Sequence, residues 1–150
     1  MTKLTDLPES VQRDISNAPF RHYYPWRAVV KLDSPSTPVR LVVDPTVTGL
    51  NVILAKGVNM LGKIPEHLIR FRSSRFAWVS DITKMYNQLH LNPTMYQYSL
   101  FLFDDDLDPS APPQVWVMLR AWYGVSSTGN QSGVAIERLV FCFQIEYPQI

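Results

Sequence analysis

The chain has 150 residues and a mass of 17.2 kDa; 46% of its residues are hydrophobic, 18% are charged, and its formal net charge is +1. That is one domain's worth of chain, or a piece of a larger one, with enough apolar residues for a packed core and too many for global disorder. A single cysteine, Cys142, excludes an internal disulfide and a cysteine-built zinc site, and no apolar run approaches the roughly 18 residues needed to span a bilayer.

The first 20 residues predict a short amphipathic helix capped by Thr5 or Asp6, with Leu7, Val11 and Ile15 four apart and Pro19 ending it. Residues 27–32 and 39–44 predict two strands around the turn-rich segment 33–38, hence a β-hairpin with Lys31 and Arg40 on its arms. Residues 45–59 predict loop. Pro65 suits the start of a helix whose apolar side is Ile64, Leu68, Ile69 and Phe71, with Arg70, Arg72 and Arg75 on or just after it.

Phe76–Ile82 predicts a buried strand ending on Asp81, and residues 83–89 a helical segment. Asn92-Pro93 predicts a break before a strand over residues 97–103. The acidic, proline-rich connection 104–113 leads to a strand over residues 115–122. A small-residue loop, 124–133, then precedes a helix over residues 134–143. Strands and helices mix without regular alternation, which predicts an α+β fold.

The net charge conceals a gradient. Residues 1–80 carry 11 Lys and Arg against 6 Asp and Glu, whereas residues 81–150 carry 3 against 7. A basic half followed by an acidic half suits a protein that holds a polyanion beside a cation; scattered surface charge gives the same numbers. Within the acidic half, Trp78-Val79-Ser80-Asp81 ends an apolar run on a carboxylate, with Tyr86 one helical turn further. Such an aspartate can ligate a hard cation such as Mg²⁺, which takes one or two carboxylates plus substrate phosphates, or it can cap the helix that follows.

Several blocks, in order, resemble the fingers and front palm of a reverse transcriptase of the BEL/Pao type of long-terminal-repeat retrotransposon. They are Tyr24-Pro25-Trp26-Arg27-Ala28-Val29-Val30-Lys31, Thr37-Pro38-Val39-Arg40-Leu41-Val42-Val43-Asp44, Gly49-Leu50-Asn51 with Lys56-Gly57-Val58-Asn59-Met60-Leu61, Leu68-Ile69-Arg70-Phe71-Arg72, Ser80–Tyr86, and Ala121-Trp122-Tyr123-Gly124-Val125-Ser126-Ser127. The resemblance covers residues 21–139, with a helical leader over residues 1–20 and an atypical tail over residues 140–150. It implies a partial right-hand polymerase: a fingers β-hairpin plus part of the palm sheet with its helices.

The resemblance also assigns roles. Asp81 is similar to the first catalytic aspartate, holding Mg²⁺ or Mn²⁺ with the backbone carbonyl of Ile82. Tyr86 matches the aromatic under the deoxyribose, and Lys31 and Arg40 match the cations that fold over the triphosphate. Tyr123 and Gly124 match the second palm motif lining the nucleotide pocket. Arg70, Arg72 and Arg75 can contact template backbone or form the solvated side of a helix.

The implied partners are an RNA or DNA template-primer and a deoxynucleoside triphosphate, with the remaining palm and thumb or a second copy of the chain as protein partners, and no membrane. The expected setting is intracellular, cytoplasmic or nuclear. The sequence departs from the family where Thr128-Gly129-Asn130-Gln131 stands in place of the usual proline. It also carries no aspartate pair after Gly124, so the expectation is a fragment inactive in polymerisation by itself. Asp104-Asp105-Asp106 precedes Gly124 and reads as solvated turn rather than as a substitute. The alternative is a non-catalytic nucleic-acid-binding or protein-interaction module.

Overall fold

The first residues of the chain pair with residues more than a hundred positions later. In a computed structural model that describes residues 1–33, 38–73, 75–104 and 110–148, β1 (Thr2–Lys3) is antiparallel to β5 (Gln114–Val117), which is antiparallel to β4 (Leu100–Phe103). The sheet order is therefore β1–β5–β4. A separate antiparallel hairpin joins β2 (Trp26–Val30) to β3 (Val39–Val43), with Trp26 opposite Val43 and Val30 opposite Val39. The helices are α1 (Glu9–Asn17), α2 (Leu50–Ile53), α3 (Ile64–Ser73) and α4 (Thr128–Glu146). This is an α+β arrangement built on small antiparallel sheets. None of the helices among the described residues is long and apolar enough to cross a membrane.

The three-stranded sheet is covered on both faces, and the alternation of its side chains explains how. Leu100 and Val117, both fully buried, face α1 and pack with Ile15, Leu4, Leu7 and Val11. Their neighbours Phe101 and Met118 face the other way, into a second core with Tyr24, Val43 and Leu50, flanked by Trp26, Phe103 and Trp116. The hairpin is attached to this second face: the Tyr24 N–H donates to the Leu100 carbonyl at 2.7 Å and the Trp26 indole to that of Leu102 at 2.7 Å.

Several predicted elements hold, within a residue or two: both hairpin strands and the helix after Lys63; the strand after Pro113 starts as expected but ends at Val117, five residues earlier than the expected Trp122. Others are corrected. The N-terminal helix starts at Glu9 after Pro8, so neither Thr5 nor Asp6 caps it, because Thr2–Lys3 are drawn into the sheet. The strand expected from Gln97 starts at Leu100. Before it, Pro93–Tyr98 form a 3-10 turn whose first N–H groups are capped by Asn92, which accepts from the Thr94 N–H at 3.0 Å.

The expected loop 124–133 is half helix, since α4 begins at Thr128. The small polar side chains of this stretch find backbone partners: Thr128 Oγ1 donates to the Trp122 carbonyl at 3.0 Å, and Ser132 Oγ to the Thr128 carbonyl at 2.8 Å. The largest correction concerns Phe76–Ile82. It is neither strand nor buried: Phe76, Trp78 and Val79 are 76%, 93% and 85% exposed. High β-propensity forms a strand only against a partner, and none of the described strands pairs with this run.

Candidate functional site

Residues 82–91 are bolted to the chain that follows β5. The Ile82 carbonyl accepts from the Met85 N–H at 3.1 Å, closing a turn through Lys84, which sits in the left-handed region at φ 51°. A side chain other than glycine held there carries local strain of about 1 kcal/mol. A 3-10 turn over Met85–Gln88 follows. Arg120 Nη1 donates to the Asn87 carbonyl at 2.7 Å, and the Ala121 N–H donates to the Leu89 carbonyl at 2.9 Å. Together these bonds fix the half-buried Tyr86 against the Tyr123–Ser127 loop.

The two tyrosines meet there. Tyr86 and Tyr123, 37 positions apart in sequence, lie edge-to-face with ring centroids 4.8 Å apart and planes at 68°. Tyr123 stays 52% exposed, so the pair forms a wall open to solvent. Gly124 turns the chain at φ +91°, and a Cβ there would stand 2.9 Å from the Val43 carbonyl oxygen. Close approach of the hairpin's base, together with the positive φ, explains this glycine.

Asn51 holds the loop in place: its Nδ2 donates to the Gly124 carbonyl at 2.8 Å and its Oδ1 accepts from the Ser126 N–H at 2.8 Å. Sequence reasoning had placed Asn51 in a motif without giving it a role. The signal was an amide, with both a donor and an acceptor, one residue after the turn and first residue of α2, Gly49-Leu50.

Asp81 is exposed, and its carboxylate has neither a hydrogen bond nor an ion pair among the described residues. It caps nothing, because the helical turn after it begins at Met85 with Lys84 in the cap position. It also belongs to no cluster of three metal-ligating side chains among the described residues. A hydrated cation brought in with phosphates fits a single exposed carboxylate of this kind. The Ile82 carbonyl has one lone pair engaged by Met85 and one remaining.

Lys31 and Arg40 share one face of the hairpin. Val29 stands opposite Arg40, and the Lys31 N–H continues the ladder to the Pro38 carbonyl at 2.7 Å. By the two-residue period Arg27 joins them, a third cation that sequence reasoning left without a role. This basic face is opposite the one that carries Trp26 and Val43 into the core. Arg40 lies roughly 10 Å and Lys31 roughly 17 Å along the strands from the Val43 end, so the hairpin is a basic arm projecting from the tyrosine wall.

Two of the three arginines near α3 have mundane partners. Arg70 pairs with Glu66 at 2.7 Å one turn earlier, and the Arg75 guanidinium lies 5.5 Å from the Phe76 ring; Arg72 is exposed. Of the acidic run, Asp104 is described and Asp105 and Asp106 lie outside the described residues. A small, partly open cavity of about 50 Å³ lies elsewhere, between Tyr24, Leu50, Met118 and Trp122, and a cleft of about 310 Å³ lies between α1 and the 3-10 turn at Pro93, lined by Val11, Asp14, Ile15, Pro93, Thr94 and Gln97. The first is far below the volume of a ligand pocket, and neither includes Asp81, Tyr86 or Tyr123. Compared with known proteins, the chain matches no family model and no curated protein.

Proposed function

We propose that the chain is a reverse-transcriptase-like fingers and palm region that binds a deoxynucleoside triphosphate at the Tyr86–Tyr123 wall. The observation that carries this reading is the meeting of the two tyrosines, which the resemblance assigned separately to one nucleotide pocket. Tyr86 would floor the sugar, Tyr123 and Gly124 would border the base, and Lys31 and Arg40 would neutralise the triphosphate as a point charge and a fork. Asp81 and the Ile82 carbonyl would hold Mg²⁺ or Mn²⁺, an ion that neutralises phosphate charge when bound. The ancestral reaction is RNA-directed DNA polymerisation on a template-primer, in an intracellular setting, with Arg70, Arg72 and Arg75 available to template phosphates.

The test is nucleotide binding by titration calorimetry with and without Mg²⁺. Mg²⁺ is expected to tighten binding in the unaltered protein and to have no effect in Asp81→Asn, while Tyr86→Ala weakens binding of deoxynucleotide about tenfold through lost stacking. No detectable nucleotide binding, or equal Mg²⁺ dependence in Asp81→Asn, would refute the proposal. A second reading, a non-catalytic nucleic-acid-binding or interaction module, is supported by the exposure of Trp78 and by the lack of a carboxylate cluster around Asp81 among the described residues. Salt-sensitive RNA binding without primer extension would select it.

A further inference from the structure

The second half of α4 has no covering among the described residues. Every residue from Ile136 through Pro148 is exposed, including Leu139, Val140, Phe141, Phe143 and Ile145 at 49–67%. A helix that is apolar all round belongs inside a protein or an interface. The projecting stretch is also shorter than the roughly 12–15 residues that an isolated helix needs to persist in water. The surface of the whole chain points the same way. At 11674 Å², it exceeds the roughly 7,800 Å² expected of a folded monomer of this mass by several times one partner's share of a standard interface, about 800 Å².

The charges on the helix indicate what covers it. Arg138, Cys142 and Glu146 follow at four-residue intervals and share a face with Ala135, Leu139 and Ile145. Neither Arg138 nor Glu146 has an ion pair among the described residues, whereas Glu137, off that face, is paired with Lys63. A second α4 laid antiparallel about a two-fold axis at Cys142 sets Arg138 against Glu146 twice and Leu139 against Ile145 twice. A parallel arrangement would oppose like charges. The small side chains of Ala135 and Cys142 along the middle of the face let the helices approach. Glu146 sits unfavourably at the negative end of its own helix dipole, and an arginine from the second copy would relieve that.

We infer that the chain forms a two-fold homodimer through antiparallel pairing of the C-terminal halves of α4. The inference does not depend on the nucleotide-binding reading. Sedimentation of the full chain at micromolar concentrations is expected to show twice the 17.2 kDa monomer mass. Arg138→Glu or Glu146→Arg alone should weaken the dimer about tenfold, and the double charge swap should restore it. A short bis-maleimide should link the subunits through Cys142, and far-UV circular dichroism confirms that each variant is folded. A monomer at all concentrations would overturn the inference, the helix then being covered by some other segment or protein. A dimer indifferent to both single charge reversals would place the interface elsewhere and overturn it equally.

Discussion

Gly124 shows how one residue can set the path of a loop through its backbone alone. With φ at +91° and the Val43 carbonyl 2.9 Å from where a Cβ would stand, alanine there meets both backbone strain and a backbone atom that cannot swing aside. Gly124→Ala is expected to destabilise the protein by about 2 kcal/mol or more and to separate the Tyr86–Tyr123 pair. Asn51→Ala, which removes two bonds to the same loop, should lower stability by about 1–3 kcal/mol. Urea midpoints measure both, and an unchanged midpoint in either variant would contradict the geometry.

His22 gives a residue-scale pH dependence. It is buried, with Nδ1 donating to the Tyr98 carbonyl at 3.2 Å and Nε2 facing Thr48 Oγ1 at 2.6 Å. Burial holds its pKa below the ordinary 6.5, partly opposed by the bond to Tyr98. The unfolded chain therefore binds this proton more readily, so His22's contribution is complete above about pH 6.5 and is lost as the pH falls through the folded value. Denaturant midpoints should drop on acidification through that range, and His22→Asn should flatten the drop. A profile equally steep in the variant would show that other groups carry it.

At the scale of elements, α1 depends on a single apolar stripe. Ile15 is its buried residue, packed with Leu100 and Val117, and Ile15→Ala should cost about 2–4 kcal/mol and detach the helix from the sheet. Loss of protection from hydrogen exchange in Glu9–Asn17 would report it. The stripe was legible in the sequence because Leu7, Val11 and Ile15 repeat every four residues, as was the hairpin, whose turn residues and flanking valines agree. What the sequence concealed was decided by distant partners. Thr2–Lys3 became strand because β5 offered an edge, and Phe76–Ile82 stayed irregular because no described strand did. At the site, the motif residues Tyr86 and Tyr123 were legible one by one. Their contact, and the amide clamp from Asn51, depend on turns at Lys84 and Gly124 whose φ angles no periodicity encodes.

For the molecule as a whole, exposed surface is the governing quantity. A chain of this mass ordinarily buries roughly 68–70% of its unfolded surface, and this one buries roughly half. Because the denaturant slope scales with the surface exposed on unfolding, the monomer should show an m-value about three-quarters of that for a compact 150-residue domain. A slope at the full value would mean that the exposed apolar residues are covered in solution.

The pairing of Thr2 with Val117 also imposes an order in time. Ribosomes add about 5–20 residues per second, so β1 waits roughly 6–23 s for β5, the strand that receives it. The β2–β3 hairpin, closed within residues 26–43, needs only microseconds once it has emerged. During that interval the face of α1 that will meet Leu100 has nothing to cover it. The nascent chain is therefore most open to chaperones, and to misassociation with its neighbours, while its middle third is being translated.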